Sequence, residues 1–169
     1  MKMTLFLATL LSFQLVFAAG TQPKNFHAVD AVVVRGAEPT KSNISWLQDL
    51  GVQTIVKLDD ENREELSWGI PVEYLPINRF GLNLSYEMVT NILDRIESAK
   101  SKGLVYVHCQ KGADRTGLII ALYRIKNGWS IDAARAEMNA PQYGHSSLQV
   151  WIDLKFEEYA ARLVQEQTN

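Results

Sequence analysis

The chain has 169 residues, with 17 basic against 19 acidic side chains, 47% apolar content and a single cysteine. That length and composition describe one globular domain, neither disordered nor collagen-like. A formal charge of -2 removes the basic excess that non-specific nucleic-acid binding needs, and Cys109 has no partner for an internal disulfide.

Lys2 is the only charge before Lys24, and an apolar stretch from Leu5 to Val16 runs into the small residues Ala18, Ala19 and Gly20. A positive start, an apolar centre and a small-residue end predict a secretory signal over residues 1–20, cut after Ala18 or Gly20. The stretch is too short, and too interrupted by Thr9, Ser12 and Gln14, to favour a membrane span. The expected product is an exported protein, periplasmic or secreted, with no stable membrane association. Residues 21–26 read as a polar linker and 27–169 as one domain.

Val29 to Arg35 is rich in valine and reads as a strand ending at Gly36. Thr40 or Ser42 caps a helix carrying Ile44, Leu47 and Leu50, which Gly51 terminates. Gln53 to Leu58 is a second strand, and Asp59 to Glu65 is an acidic run expected to be a solvated helix start. Val72 to Leu75 is a third, short strand closed by Pro76. Ser85 caps a long helix whose Val89, Ile92, Leu93, Ile96 and Ala99 follow helical spacing, with Gly103 after its end. Leu104 to Val107 is wholly apolar, as in a strand buried on both faces. Arg115 to Lys126 is helical and is closed by Asn127 and Gly128. Ser130 caps another helix, and a last one starts at Ser146 or Ser147 with Leu148, Ile152, Phe156, Tyr159 and Leu163 on one face. Alternating strands and helices predict an α/β fold, a central, mostly parallel sheet flanked by helices, with its sites at the carboxyl ends of the strands.

The segment His108-Cys109-Gln110-Lys111-Gly112-Ala113-Asp114-Arg115-Thr116-Gly117 leaves the most apolar strand and enters a helix. A loop in that place turns successive N–H groups inward, making an anion-binding nest at the positive end of the helix. Gly112 permits the tight path. Arg115 offers a planar fork for two phosphoryl oxygens. Cys109, at the floor of the nest, is favoured as thiolate and can attack a cradled phosphorus in line. Gln110 to Arg115 would then bind the phosphate, and Thr116 would hydrogen-bond the sulfur as it leaves. Neither metal nor cofactor is needed, because the nest and Arg115 neutralise the equatorial oxygens.

These residues resemble the protein tyrosine phosphatase superfamily, whose signature is H-C-x5-R-[ST]-G; His108, Cys109, Arg115, Thr116 and Gly117 match all five positions. The small single-domain layout looks like the dual-specificity branch or the related inositol-phosphate phosphatases. The resemblance implies that Cys109 is the nucleophile, that Arg115 binds phosphate, and that His108 orients the loop and helps ionise the thiol. It also implies an acid on the loop before the long helix. Here that loop, Pro76 to Asn83, has no carboxylate. Asp114 is the first substitute, as in myotubularin-like and Sac-type phosphatases; Asp59 and Asp60 are the others.

Lys111 and Arg79 add positive potential suited to multiply phosphorylated ligands. The expected partner is a phosphorylated small molecule or a phosphopeptide. The four tryptophans read as packing residues, and His27 and His145 as surface histidines without metal-ligand spacing. Two other readings stand beside a phosphatase: a rhodanese-like sulfurtransferase, whose cysteine also lies in a strand-to-helix loop, and a phosphate-binding module without turnover.

Overall fold

The computed structural model describes residues 20–61, 63 and 67–168. The expected export signal, residues 1–20, lies outside the described residues except for Gly20. The described chain runs β1 (His27–Ala28), β2 (Val33–Ala37), α1 (Lys41–Asp49), β3 (Val52–Lys57), β4 (Val72–Tyr74), α2 (Tyr86–Lys100), β5 (Leu104–Cys109), α3 (Asp114–Lys126), α4 (Ile131–Met138), a 3₁₀ turn (Pro141–Tyr143) and α5 (Val150–Gln167).

The strands form one sheet in the order β1-β2-β5-β3-β4, parallel except for β1. The apolar β5 takes the centre, where neighbours on both sides satisfy its backbone and helices cover both faces. Its register pairs Ala37 with Cys109 on one side and Lys57 with His108 on the other. Three parallel strands thus end together at the edge that receives Cys109. Two apolar clusters sandwich the sheet. The larger joins Val105 and Val107 to α2, α3 and α5 through Ile92, Ile96, Leu118, Leu122, Ile152 and Phe156, and the smaller joins Tyr106 and Ile55 to α1 through Ile44 and Leu47. Helix α3 is buried on all sides from Arg115 to Tyr123, which places the start of the helix firmly behind the site.

The helix caps follow the sequence: Asn43 of α1 folds back on Thr40, Ser85 accepts from the Met88 N–H, and Ser130 accepts from the Ala133 N–H. Four expectations change. The valine run is strand only from Val33, as β2, and β1 lies before it, because the Asp30 carboxylate accepts from the N–H groups of Val32 and Val33 and pins a turn there. Residues 21–26 are docked on the domain: Asn43 donates to Thr21, Ala37 donates to the Lys24 carbonyl, and Asn25 donates to the carbonyls of Lys111 and Tyr143. The last helix begins at Val150, not at Ser146 or Ser147, because the Ser146 N–H is drawn away to Asp114; Leu148 is left 88% exposed, off the apolar face. In the acidic run, Asp59 is fully buried instead of solvated, and residues 62 and 64–66 lie outside the described residues.

Leu122 has no exposed surface and is packed in the larger cluster behind the site. Leu122→Ala should cost about 3 kcal/mol of stability, read as a lowered urea midpoint at unchanged m-value.

Candidate functional site

Cys109 is the last residue of β5 and Asp114 the first of α3, so only Gln110 to Ala113 cross between them. The crossing is held from below by β2. Gly112 has φ +68°, and a Cβ there would lie 2.2 Å from the Gly36 carbonyl carbon and oxygen. Both the backbone angle and the contact require glycine. Arg35, 1% exposed, donates through Nη2 to the carbonyls of Gly112 at 2.8 Å and Ala113 at 3.3 Å. The Glu38 N–H donates to the Gln110 carbonyl at 3.2 Å, and Asn25 to that of Lys111. The loop carbonyls are thus drawn to the side of the molecule opposite the cleft.

Cys109, Gln110, Lys111, Asp114 and Arg115 line a cleft of about 550 Å³, together with Asp60, Glu61, Asn78, Arg79, Phe80, Gln149 and Trp151. Cys109 is nearly enclosed, at 3% exposure, and Arg115 is 8% exposed. The Arg115 guanidinium donates to both carboxylate oxygens of Glu61, at 2.9 and 3.3 Å, and to the Ile77 carbonyl at 3.0 Å. Burial pushes the Glu61 carboxyl up, but the hydrogen bonds and charge of Arg115 outweigh it and leave the group below its ordinary value. Arg115 is raised: burial alone would lower it, and Glu61, Cys109 and Asp59 act the other way.

Behind Cys109 lies a second polar layer with no exposed side-chain surface. The His108 Nδ1 is 3.7 Å from Asp59 Oδ2, and Asp59 Oδ1 takes a hydrogen bond from Lys57 Nζ, which also lies 3.6 Å from Glu38. Burial raises the Asp59 carboxyl against the opposing pull of Lys57 and His108. The Thr116 hydroxyl is buried without a hydrogen-bond partner among the described residues, and the Gly117 N–H closes the first turn of α3 on the Ala113 carbonyl.

The loop before α2 is built by asparagines. Asn78 accepts from the N–H groups of Phe80 and Leu82, and Asn83 bonds the Asn78 N–H and the Pro76 carbonyl. Only the Asn83 bond to Pro76 needs an amide donor. Of the three aspartates considered, Asp114 and Asp60 reach the cleft and Asp59 does not. Asp114 Oδ1 accepts from the Ser146 N–H and pairs with His145 Nδ1, each at 2.9 Å. Among the described residues no group of three or more His, Cys, Asp and Glu could hold a metal ion.

The structure therefore brings together the whole segment from His108 to Gly117, with Lys111 and Arg79 at the cleft. It corrects several readings. His145 is not a surface histidine: its side chain is 6% exposed and lies between Asp114 and Asp153. His27 is half-buried, its ring edge against Tyr143. Trp46, Trp68 and Trp151 pack on the two clusters as expected, Trp151 lining the cleft as well, whereas Trp129 is 40% exposed under Arg124. Arg35 and Glu61 escaped the sequence reading altogether. Arg35 sits in a strand that otherwise reads as core, and its lone charge among valines was the available signal. Glu61 was absorbed into a charge run.

Over residues 8–156 the chain matches the family described as a DSP-PTPase phosphatase fused to NAD+ kinase. It is 32% identical over 122 residues to the dual specificity protein phosphatase TpbA of Pseudomonas aeruginosa, covering 71% of this chain and 56% of that protein. The inositol diphosphatase DSP2 of Oryza sativa subsp. japonica is 28% identical over 117 residues, covering 64% of this chain and 57% of that one. This chain thus spans little more than half the length of these relatives. The crystal structure of P. aeruginosa TpbA superimposes with a TM-score of 0.76 at 26% identity, covering 89% of this chain and 98% of that one. With the parallel sheet and the cysteine-to-arginine loop in the same arrangement as its sequence implied, the chain belongs to the DSP-PTPase phosphatases of the protein tyrosine phosphatase superfamily.

Proposed function

We propose that this protein is a cysteine phosphatase that hydrolyses phosphomonoesters through a cysteinyl-phosphate, without a metal. The observation that carries the reading is the shared cleft wall: Cys109 at the end of β5, and Arg115, the second residue of α3, open on the same space. A phosphate placed over the sulfur meets the Arg115 fork and the start of α3, so its charge is neutralised as it binds. The Cys109 thiolate attacks phosphorus as the ester P–O bond breaks, and Asp114 donates a proton to the departing oxygen. Asp114 then takes a proton from the attacking water, the S–P bond breaks, and inorganic phosphate and thiolate are released. His108 holds the strand end, and the buried Thr116 hydroxyl, without a hydrogen-bond partner among the described residues, is available to the sulfur. The sulfurtransferase reading finds no support in the family match.

The cleft favours an aryl phosphate over a polyphosphorylated inositol. Arg79, Lys111 and Arg115 are balanced there by Asp60, Glu61 and Asp114, and Phe80 and Trp151 supply aromatic walls. A dense anion would meet three carboxylates, whereas the ring of phosphotyrosine has rings to pack on. TpbA, to which this chain is similar, has been crystallised in complex with pTyr. The second reading, an inositol phosphate, draws on Lys111 and Arg79 and on the inositol diphosphatase among the relatives. We place the activity outside the cytoplasm, periplasmic or secreted, on the strength of the positive-apolar-small pattern at residues 1–20.

Hydrolysis of para-nitrophenyl phosphate should be undiminished by EDTA and absent in Cys109→Ser; loss on chelation would remove the metal-free reaction. A phosphotyrosine peptide should be cleaved with higher kcat/KM than inositol hexakisphosphate, and the reverse order would favour the second reading. Asp114→Asn should slow phenyl phosphate by about 100-fold and para-nitrophenyl phosphate far less. Equal slowing of both would take the acid role from Asp114. Because Glu61 occupies the Arg115 fork, an incoming phosphate has to displace it. Glu61→Gln should lower the inhibition constant of inorganic phosphate by roughly threefold, half the difference a strong exposed ion pair can make. The same competition should fade in the wild type as pH falls through the lowered Glu61 value, since the protonated carboxyl no longer holds the guanidinium.

A further inference from the structure

Arg35 is the most deeply buried arginine among the described residues, and it has no carboxylate partner. Its contacts are the carbonyls of Gly112 and Ala113 and the face of the Tyr143 ring, 4.6 Å from the guanidinium carbon; its Nε is buried without a partner. A buried cation without a counter-ion is costly, and a fold retains one only where something offsets the charge. The charged and titratable groups around it are Cys109, Tyr143, Glu137, Arg124 and His27. Glu137 is already engaged by Arg124, at 3.0 Å. The negative charges left to it are those of the site itself, the Cys109 sulfur and the oxyanion the loop would hold over it.

Peptide planarity adds the second half of the argument. In a trans peptide the N–H points opposite to the C=O, and no cis bond occurs among the described residues. Drawing the Gly112 and Ala113 carbonyls down onto Arg35 therefore turns the N–H groups of Ala113 and Asp114 up, away from β2 and toward the cleft. Neither N–H donates to another described residue. On that face the Gly36 backbone lies against Gly112 so closely that no side chain fits between them.

We propose that Arg35 is a positioning residue of the phosphate loop: from behind, it fixes the Ala113 and Asp114 N–H groups toward the bound oxyanion, and it supplies a buried positive charge that the anion itself completes. Loop and anion thus share two arginines, Arg115 in front and Arg35 beneath. This proposal rests on the phosphatase reading above, and the two fail in different ways. Absence of wild-type turnover of para-nitrophenyl phosphate would sink the reading of the site, whereas a defect confined to the Arg35 variants speaks to the proposal alone.

The test compares wild type, Arg35→Gln and Arg35→Lys for inhibition by vanadate, with para-nitrophenyl phosphate as substrate and thermal unfolding followed in parallel. Folded Arg35→Gln should bind vanadate about tenfold or more weakly, roughly 1.4 kcal/mol, and raise KM together with its loss of kcat. Arg35→Lys, which keeps the charge and one donor, should recover most of that affinity. A folded Arg35→Gln with wild-type vanadate affinity, or an Arg35→Lys no better than Arg35→Gln, would overturn the proposal whatever the melting temperatures. If neither variant folds, the wild-type protein still decides it: adding tungstate should move the backbone amide proton resonances of Ala113 and Asp114 downfield. Unmoved resonances in a protein that tungstate inhibits would refute it.

Discussion

The close approach of Gly36 to Gly112 is the constraint on which the site depends. Two backbones can lie this near only when neither carries a side chain between them, and a Cβ on Gly112 would sit 2.2 Å from the Gly36 carbonyl. On the other side, a Cβ on Gly36 would strike the Tyr106 hydroxyl, which donates to the Ala37 carbonyl. The strand end, the loop and β5 are consequently locked as one unit. The positive φ of Gly112 and the direction of the loop carbonyls follow from that lock, and the cleft opens where the carbonyls do not point.

Around this unit the charges are arranged in layers of decreasing burial. Deepest are Lys57, Asp59 and His108, an ionic group without exposed side-chain surface behind the sulfur. Such a group adds little stability beyond an apolar replacement, but removing one member strands the others. It therefore acts to fix geometry, holding the strand end where Cys109 emerges. Next come Arg35 and Arg115, one behind the loop and one before it. At the mouth, Glu61 and Asp60 oppose Arg79 and Lys111 in a partly exposed setting where pairs exchange readily. The gradient from fixed to exchangeable charge suits the proposed reaction, which needs its own residues held rigidly and its product released.

Asp114 illustrates how one carboxylate serves two structures. It opens α3, where a negative charge suits the helix end. It also gathers the Ser146 N–H and His145 from the segment that leads into α5. The same bonds delay the start of α5 to Val150 and bring Gln149 and Trp151 to the cleft. The phosphate loop thus shapes the wall that faces it, although more than thirty residues separate the two in the chain.

Periodicity and capping in the chain were enough to determine the α/β alternation, the central position of the apolar β5 segment and the emergence of Cys109 at a strand end beside Arg115. These are local properties: burial on both faces demands an unbroken apolar strand, a cap draws on a Ser, Thr, Asn or Asp side chain, and one short loop joins Cys109 to the helix that carries Arg115. What lay beyond sequence was everything set by contacts between distant segments. The burial of Asp59 depends on His108 meeting it from the neighbouring strand; the enclosure of His145 depends on Asp114; the role of Arg35 depends on β2 lying parallel to β5 in one register. Linear spacing carries no record of such pairings, because they arise only when the strands settle side by side and the charged side chains between them must find partners away from water.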